Sequence, residues 1–93
     1  MSRSAKEFRR LTRAFLGEQE SFWGFHEEFL ARWTHLPPDA LSGGERAAWN
    51  EIYAWILTSI PDPVSAEDGA RGVIGEAELR DRLRRHPLLA TPR

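Results

Sequence analysis

Four stretches of this chain space their large apolar side chains three and four residues apart, and each is bounded by residues that start or stop a helix. That spacing gathers the apolar side chains on one face of a 3.6-residue turn and leaves the polar ones on the other. In the first stretch Ser4 is followed three residues later by Glu7, a capping box, and Phe8, Leu11, Phe15 and Leu16 form the stripe. Gly17 is the expected stop, so the pattern predicts a helix over 5–16. The second opens after Ser21 as N-cap and carries Phe22, Phe25, His26, Phe29, Leu30 and Trp33; it ends before Pro37 and Pro38, which restrict their predecessors. The third starts near Ser42 with Glu45 as box partner, weakened by Gly43 and Gly44, and runs through Trp49, Ile52, Tyr53, Ile56 and Ile60. The fourth has Gly75 at its cap and Glu78 three on. Ile74 and Leu79 sit at the positions of a hydrophobic staple, Leu79 and Leu83 face the core, and Pro87 ends it.

Four amphipathic helices predict an all-α fold, an antiparallel up-and-down four-helix bundle. At 93 residues the chain is read as one domain over 1–93, with 1–4 and 88–93 as flexible ends. Five Phe and four Trp give it enough to bury. The stretch "SIPDPVSAEDGARGVIGEAEL" is unusual, because structureless connections beyond about 12 to 15 residues are generally functional or disordered.

The net charge of -1 hides a pattern. Arg3, Lys6, Arg9, Arg10 and Arg13 outweigh Glu7 before residue 18, and Glu18, Glu20, Glu27 and Glu28 follow unopposed. Asp62, Glu67, Asp68, Glu76 and Glu78 outweigh Arg71 in the second acidic segment, and arginines dominate after it. In an up-and-down bundle the first and third connections emerge at the same end, so both acidic segments are expected to form one acidic pole. Glu20, Glu76 and Glu78 are accounted for by the dipoles of the helices they begin. The remaining acids and the long loop are not. Trp33 and Trp49 are expected in the core; Trp23 and Trp55, off the main stripes, are placed between core and contact surface.

Catalytic chemistry is hard to find. There is no cysteine, hence no disulfide or thiolate site. The segment "LSGGERAAW" lacks the Lys-Ser/Thr of a phosphate-binding loop, and "HEEF" lacks the second histidine of a zinc protease. His26 reads as a core-edge residue, and His35 and His86 have no partner at ligand spacing. Glu27 and Glu28 point to different sides of a helix, away from any shared pocket. No catalytic residue, metal or cofactor is expected. The charged start and the lack of an apolar run near 20 residues predict a soluble cytoplasmic protein without membrane contact. The basic flanks "SRSAKEFRRLTR" and "LRDRLRR" leave open an alternative, a small nucleic-acid-associated or regulatory module. Without interleaved aromatics for base stacking, direct nucleic-acid binding is not the expectation.

The arrangement "AFLGEQESFWGFHEEFLARW", "ERAAWNEIYAWILTSIPDP" and "VIGEAELRDRLRRH" resembles the colicin D-type immunity family, the bacterial self-protective colicin-like immunity proteins, over about residues 5 to 86. Its most specific element is Pro61, Asp62 and Pro63 after an aromatic helix. The resemblance implies a four-helix bundle that inhibits a cognate nuclease toxin domain, a tRNA- or RNA-cleaving one, by covering its basic cleft with carboxylates that stand in for phosphates; a monomer is expected. The partner-binding candidates are then Asp62, Glu67 and Asp68 in the loop, Glu27 and Glu28 on the second helix, and Trp55 or Trp23 as anchor. One departure from the family pattern is that "AWILTSI", before the Pro-Asp-Pro, carries no acid.

Overall fold

The computed structural model describes residues 3–89. Its elements are helix α1 (Arg3–Leu16), α2 (Phe22–Thr34), α3 (Gly43–Leu57), strand β1 (Ser59–Ile60), a short helix α4 (Ala66–Ala70), strand β2 (Ile74–Gly75) and helix α5 (Glu76–Arg85). The protein is mainly helical, as the four stripes predict. The expected serine caps are present at α2 and α3, whereas α1 already includes Arg3, so Ser4 lies within the helix and is not its N-cap, and Glu7 pairs with Arg10 instead. The Ser21 hydroxyl accepts from the Gly24 amide. Ser42 and Glu45 form the complete reciprocal box, which offsets the weak Gly43–Gly44 turn. No described helix is long and apolar enough to cross a membrane.

Aromatic contacts define how the helices run. At one end Phe15 stacks on Phe25 at 4.3 Å, and at the other Phe8 lies 4.8 Å from Phe29 and 5.8 Å from Trp33, so α2 returns along α1. Trp33 stacks on Tyr53 at 5.0 Å, while one to two turns away the His26 imidazole lies close to the Ile56 main chain; α3 therefore returns along α2. Trp55 meets Arg82 and His86, and Glu51 meets His86. Arg80 covers Phe15, which brings α5 back to α1. The core so enclosed comprises chiefly Phe8, Phe15, Phe25, Phe29, Trp49, Ile52, Ile56, Leu79 and Leu83, all at most 1% exposed. Thr12, the polar residue on the buried side of α1, returns its hydroxyl to the Phe8 carbonyl at 2.8 Å.

Three local expectations are corrected. The third helix stops at Leu57, short of Ile60. Pro61 bars Ile60 from helical geometry, and the extended Ser59–Ile60 pairs in parallel with Ile74–Gly75 instead. The long connection is consequently not structureless: it is a crossover held by that ladder, with α4 inside it, capped by the Ser65 hydroxyl on the Asp68 amide. Arg3 and Ser4, expected in a flexible end, belong to α1, Leu88 packs against the core and Leu89 is buried; residues 1–2 and 90–93 lie outside the described residues.

Trp49 is 1% exposed, yet its indole N–H meets no acceptor among the described residues. An orphaned buried donor is costly, so deleting it recovers part of what a smaller ring loses. Trp49→Phe is expected to lower unfolding stability by under about 1.5 kcal/mol, against about 3–5 for Trp49→Ala. Urea titrations of both variants check this.

Candidate functional site

Because Phe15 at the end of α1 contacts Arg80 near the start of α5, the α1–α2 turn and the β1–α4–β2 crossover lie at one end of the molecule. The acids there divide by what their carboxylates do.

Asp62 has a structural task. Helix α5 has Gly75 as N-cap and thus no side-chain cap of its own, and Asp62 Oδ2 accepts the Ala77 amide at 2.8 Å from across the crossover. The carboxylate lies so close over Gly75 that a Cβ there would run into it. Glu76 and Glu78 pair with Arg80 and Arg82 at 2.7 and 2.6 Å, one turn along α5. Glu67 pairs with Arg71 at 3.0 Å in the open. Glu28 turns the other way: it binds Arg32 at 2.8 Å, and Arg32 reaches Glu7 on α1, so Glu28 belongs to the α1–α2 flank. The Glu20 carboxylate lies over Gly24 in the first turn of α2. Among the described residues, Glu18, Glu27 and Asp68 have no lysine or arginine partner.

Glu18 is held in a conformation that glycine would take more cheaply. Helix α1 ends in a Schellman arrangement, with the Gln19 amide on the Ala14 carbonyl at 2.8 Å and the Glu18 amide on Phe15 at 3.1 Å. The left-handed residue this requires is Glu18, at φ 62°, not the Gly17 that sequence order suggests. Phase alone separates the two positions, and no residue type signals it.

The tryptophans part company. Trp33 is half-buried between Phe8, Phe29 and Tyr53. Trp55 is half-buried against the core, edge-on to His86 and under Arg82, on the α3–α5 side. Trp23 is 52% exposed and, with Leu57 at 51%, is one of two exposed large hydrophobic residues among those described. Trp23 stands edge-on to Phe22 at 4.9 Å and to His26 at 5.2 Å. Burial holds the His26 imidazole below its usual pKa, opposed by the nearby Ile56 main chain and by Glu27. Sequence reasoning placed Glu18 among the acids of the expected pole and His26 at the core edge, but missed the left-handed backbone of Glu18 and Leu57 as a surface feature. Leu57 was invisible because the expected helix ran past it.

Basic residues also divide. Arg80, Arg82 and Arg85 are each paired with the acid four positions earlier, which neutralises much of α5. Lys6, Arg9 and Arg13 on α1 have no carboxylate partner among the described residues. No group of three or more His, Asp or Glu side chains among the described residues is placed to hold a metal ion. No family model matches the chain, and neither a curated protein nor a solved structure does so.

Asp62 and Gly75 act as one device, so their variants should not add. Asp62→Ala and Gly75→Ala are each expected to cost about 1–2 kcal/mol, as lost helix caps do, and the double variant little more than either alone. A double-mutant cycle by chemical denaturation measures the coupling. Additive losses would contradict the cap.

Proposed function

We propose that this protein is an immunity-type inhibitor: an antiparallel up-and-down four-helix bundle, working as a cytoplasmic monomer, that binds a cognate RNA-cleaving toxin domain and lays its acidic end over the toxin's basic cleft. The observation that carries this reading is Glu18. A left-handed backbone costs a non-glycine residue about 1 kcal/mol or more, and the Glu18 side chain gains no cation partner among the described residues in return. Strain kept at an exposed carboxylate is what a binding surface shows when stability is traded for function. Glu27 on α2 and Asp68 on α4 supply further carboxylates without cation partners at the same end. Such charges raise the rate of encounter with a basic cleft and occupy the positions where RNA phosphates would bind. Inhibition then needs no chemistry from the inhibitor, only exclusion of the substrate. The resemblance around Pro61, Asp62 and Pro63 supports the same class, although the loop acids divide their work: Asp62 caps α5, and Asp68 is the carboxylate without a cation partner.

The test uses a nuclease toxin domain, which the inhibitor reading expects to be encoded beside this gene. Glu18→Gly should raise the melting temperature by about 4–8 °C for each kcal/mol of strain relieved. Combined with Glu27→Gln and Asp68→Asn, it should slow association several-fold at low salt and weaken protection on co-expression. Lys6→Glu, toward the opposite end of α1, should preserve both. If the acidic variant protected as well as the parent while the α1 variant failed, the acidic end would not be the working surface.

A further inference from the structure

The two exposed large hydrophobic residues among those described, Trp23 and Leu57, come from different helices, α2 and α3. His26 lies edge-on to Trp23 at 5.2 Å, and its ring lies close to the main chain of Ile56, the residue before Leu57. The arrangement continues the α2–α3 seam on which Trp33 stacks against Tyr53 at 5.0 Å. Trp23 is fixed on its other side by Phe22, 4.9 Å away and itself buried, so the indole is held in one orientation while half its surface faces solvent. A rigid, half-wet indole is the side chain that most often anchors an interface. Acids border it: Glu27 lies one helical turn along α2 on the same face, and Glu20 lies against Gly24 one turn before.

Resting on the inhibitor reading above, we infer that Trp23 and Leu57 form the apolar anchor of the interface, and that its occupant is an apolar slot on the toxin domain bordered by lysine or arginine. Charge decides the occupant. A second copy of this chain would bring Glu20 and Glu27 against their own kind, whereas a slot edged with cations meets the indole and both carboxylates together. The anchor lies on the α2–α3 seam, so the interface extends from the acidic end down that edge and excludes Trp55, which faces α5.

Trp23→Ala and Leu57→Ala remove side chains that are about half exposed, so circular dichroism and melting temperature should change little. Dissociation constants for the neighbouring nuclease domain, measured by calorimetry for parent, both variants and Trp55→Phe, should weaken about 30-fold or more for Trp23→Ala, by less for Leu57→Ala, and hardly for Trp55→Phe. If the parent binds and Trp23→Ala binds within about threefold of it, the anchor is wrong and the inhibitor reading stands. If the parent neither binds nor protects, both are overturned. Concentration-dependent dimerisation of the parent, abolished by Trp23→Ala, would assign the patch to a second copy and overturn the inference as well.

Discussion

Phe15 joins three helices at the end that matters. It is fully buried, stacks on Phe25 at 4.3 Å with planes 5° apart, and carries the Arg80 guanidinium 4.0 Å above its ring. The same guanidinium donates to the Phe15 carbonyl, one of the acceptors left open at a helix end, and is balanced by Glu76 at 2.7 Å. One residue thereby satisfies a helix terminus, a buried aromatic face and a partly buried carboxylate. Desolvated cation–π contacts reach about 2 kcal/mol, but position is the larger consequence: α1 and α5 are locked end to end. Whatever the α1–α2 turn and the crossover carry is then presented together.

The crossover is fixed by a second set of contacts that does not draw on the core. Two residues of parallel ladder, the Ser65 cap and Asp62 over Gly75 and Ala77 hold a segment that buries little, with Val64 and Val73 only partly covered. Polar contacts of this kind leave the acids Glu67 and Asp68 on a defined platform without a hydrophobic layer beneath every one of them. The Asp between two prolines is intelligible on this basis. Flanking prolines limit its backbone, so the carboxylate is delivered to the α5 amides at small entropic cost.

The four long helices were legible in the sequence through their periodic stripes, and α2, α3 and α5 were signalled a second time by a serine or glycine boundary. Ser42 with Glu45 is the clearest case. Legibility failed where structure is made by residues distant in sequence. Ser59–Ile60 continues the α3 stripe and becomes a strand only through a partner fifteen positions on. Asp62 as a cap for Ala77 has no local signature. Among the candidate contact residues, Glu27, Glu67, Asp68 and Trp23 do lie exposed or near the expected end, but Glu28 is drawn to Arg32 and Trp55 toward His86. Pairings across helices decide such cases, and helical spacing alone leaves them open. The strained Glu18 lay one residue from the glycine that ought to have held its conformation.

The division of the surface into a paired, self-neutralised α5 and an acidic end with free carboxylates is the claim on which the functional reading depends. Amide hydrogen exchange, followed for the protein alone and mixed with the neighbouring nuclease domain, tests it most directly. If the acidic end and the α2–α3 seam form the interface, protection should rise across Gly17–Glu27 and across Leu57–Val73, while Lys6–Arg13 on α1 keeps its free-state rates. Protection confined to Lys6–Arg13, with the turn and crossover unchanged, would contradict it.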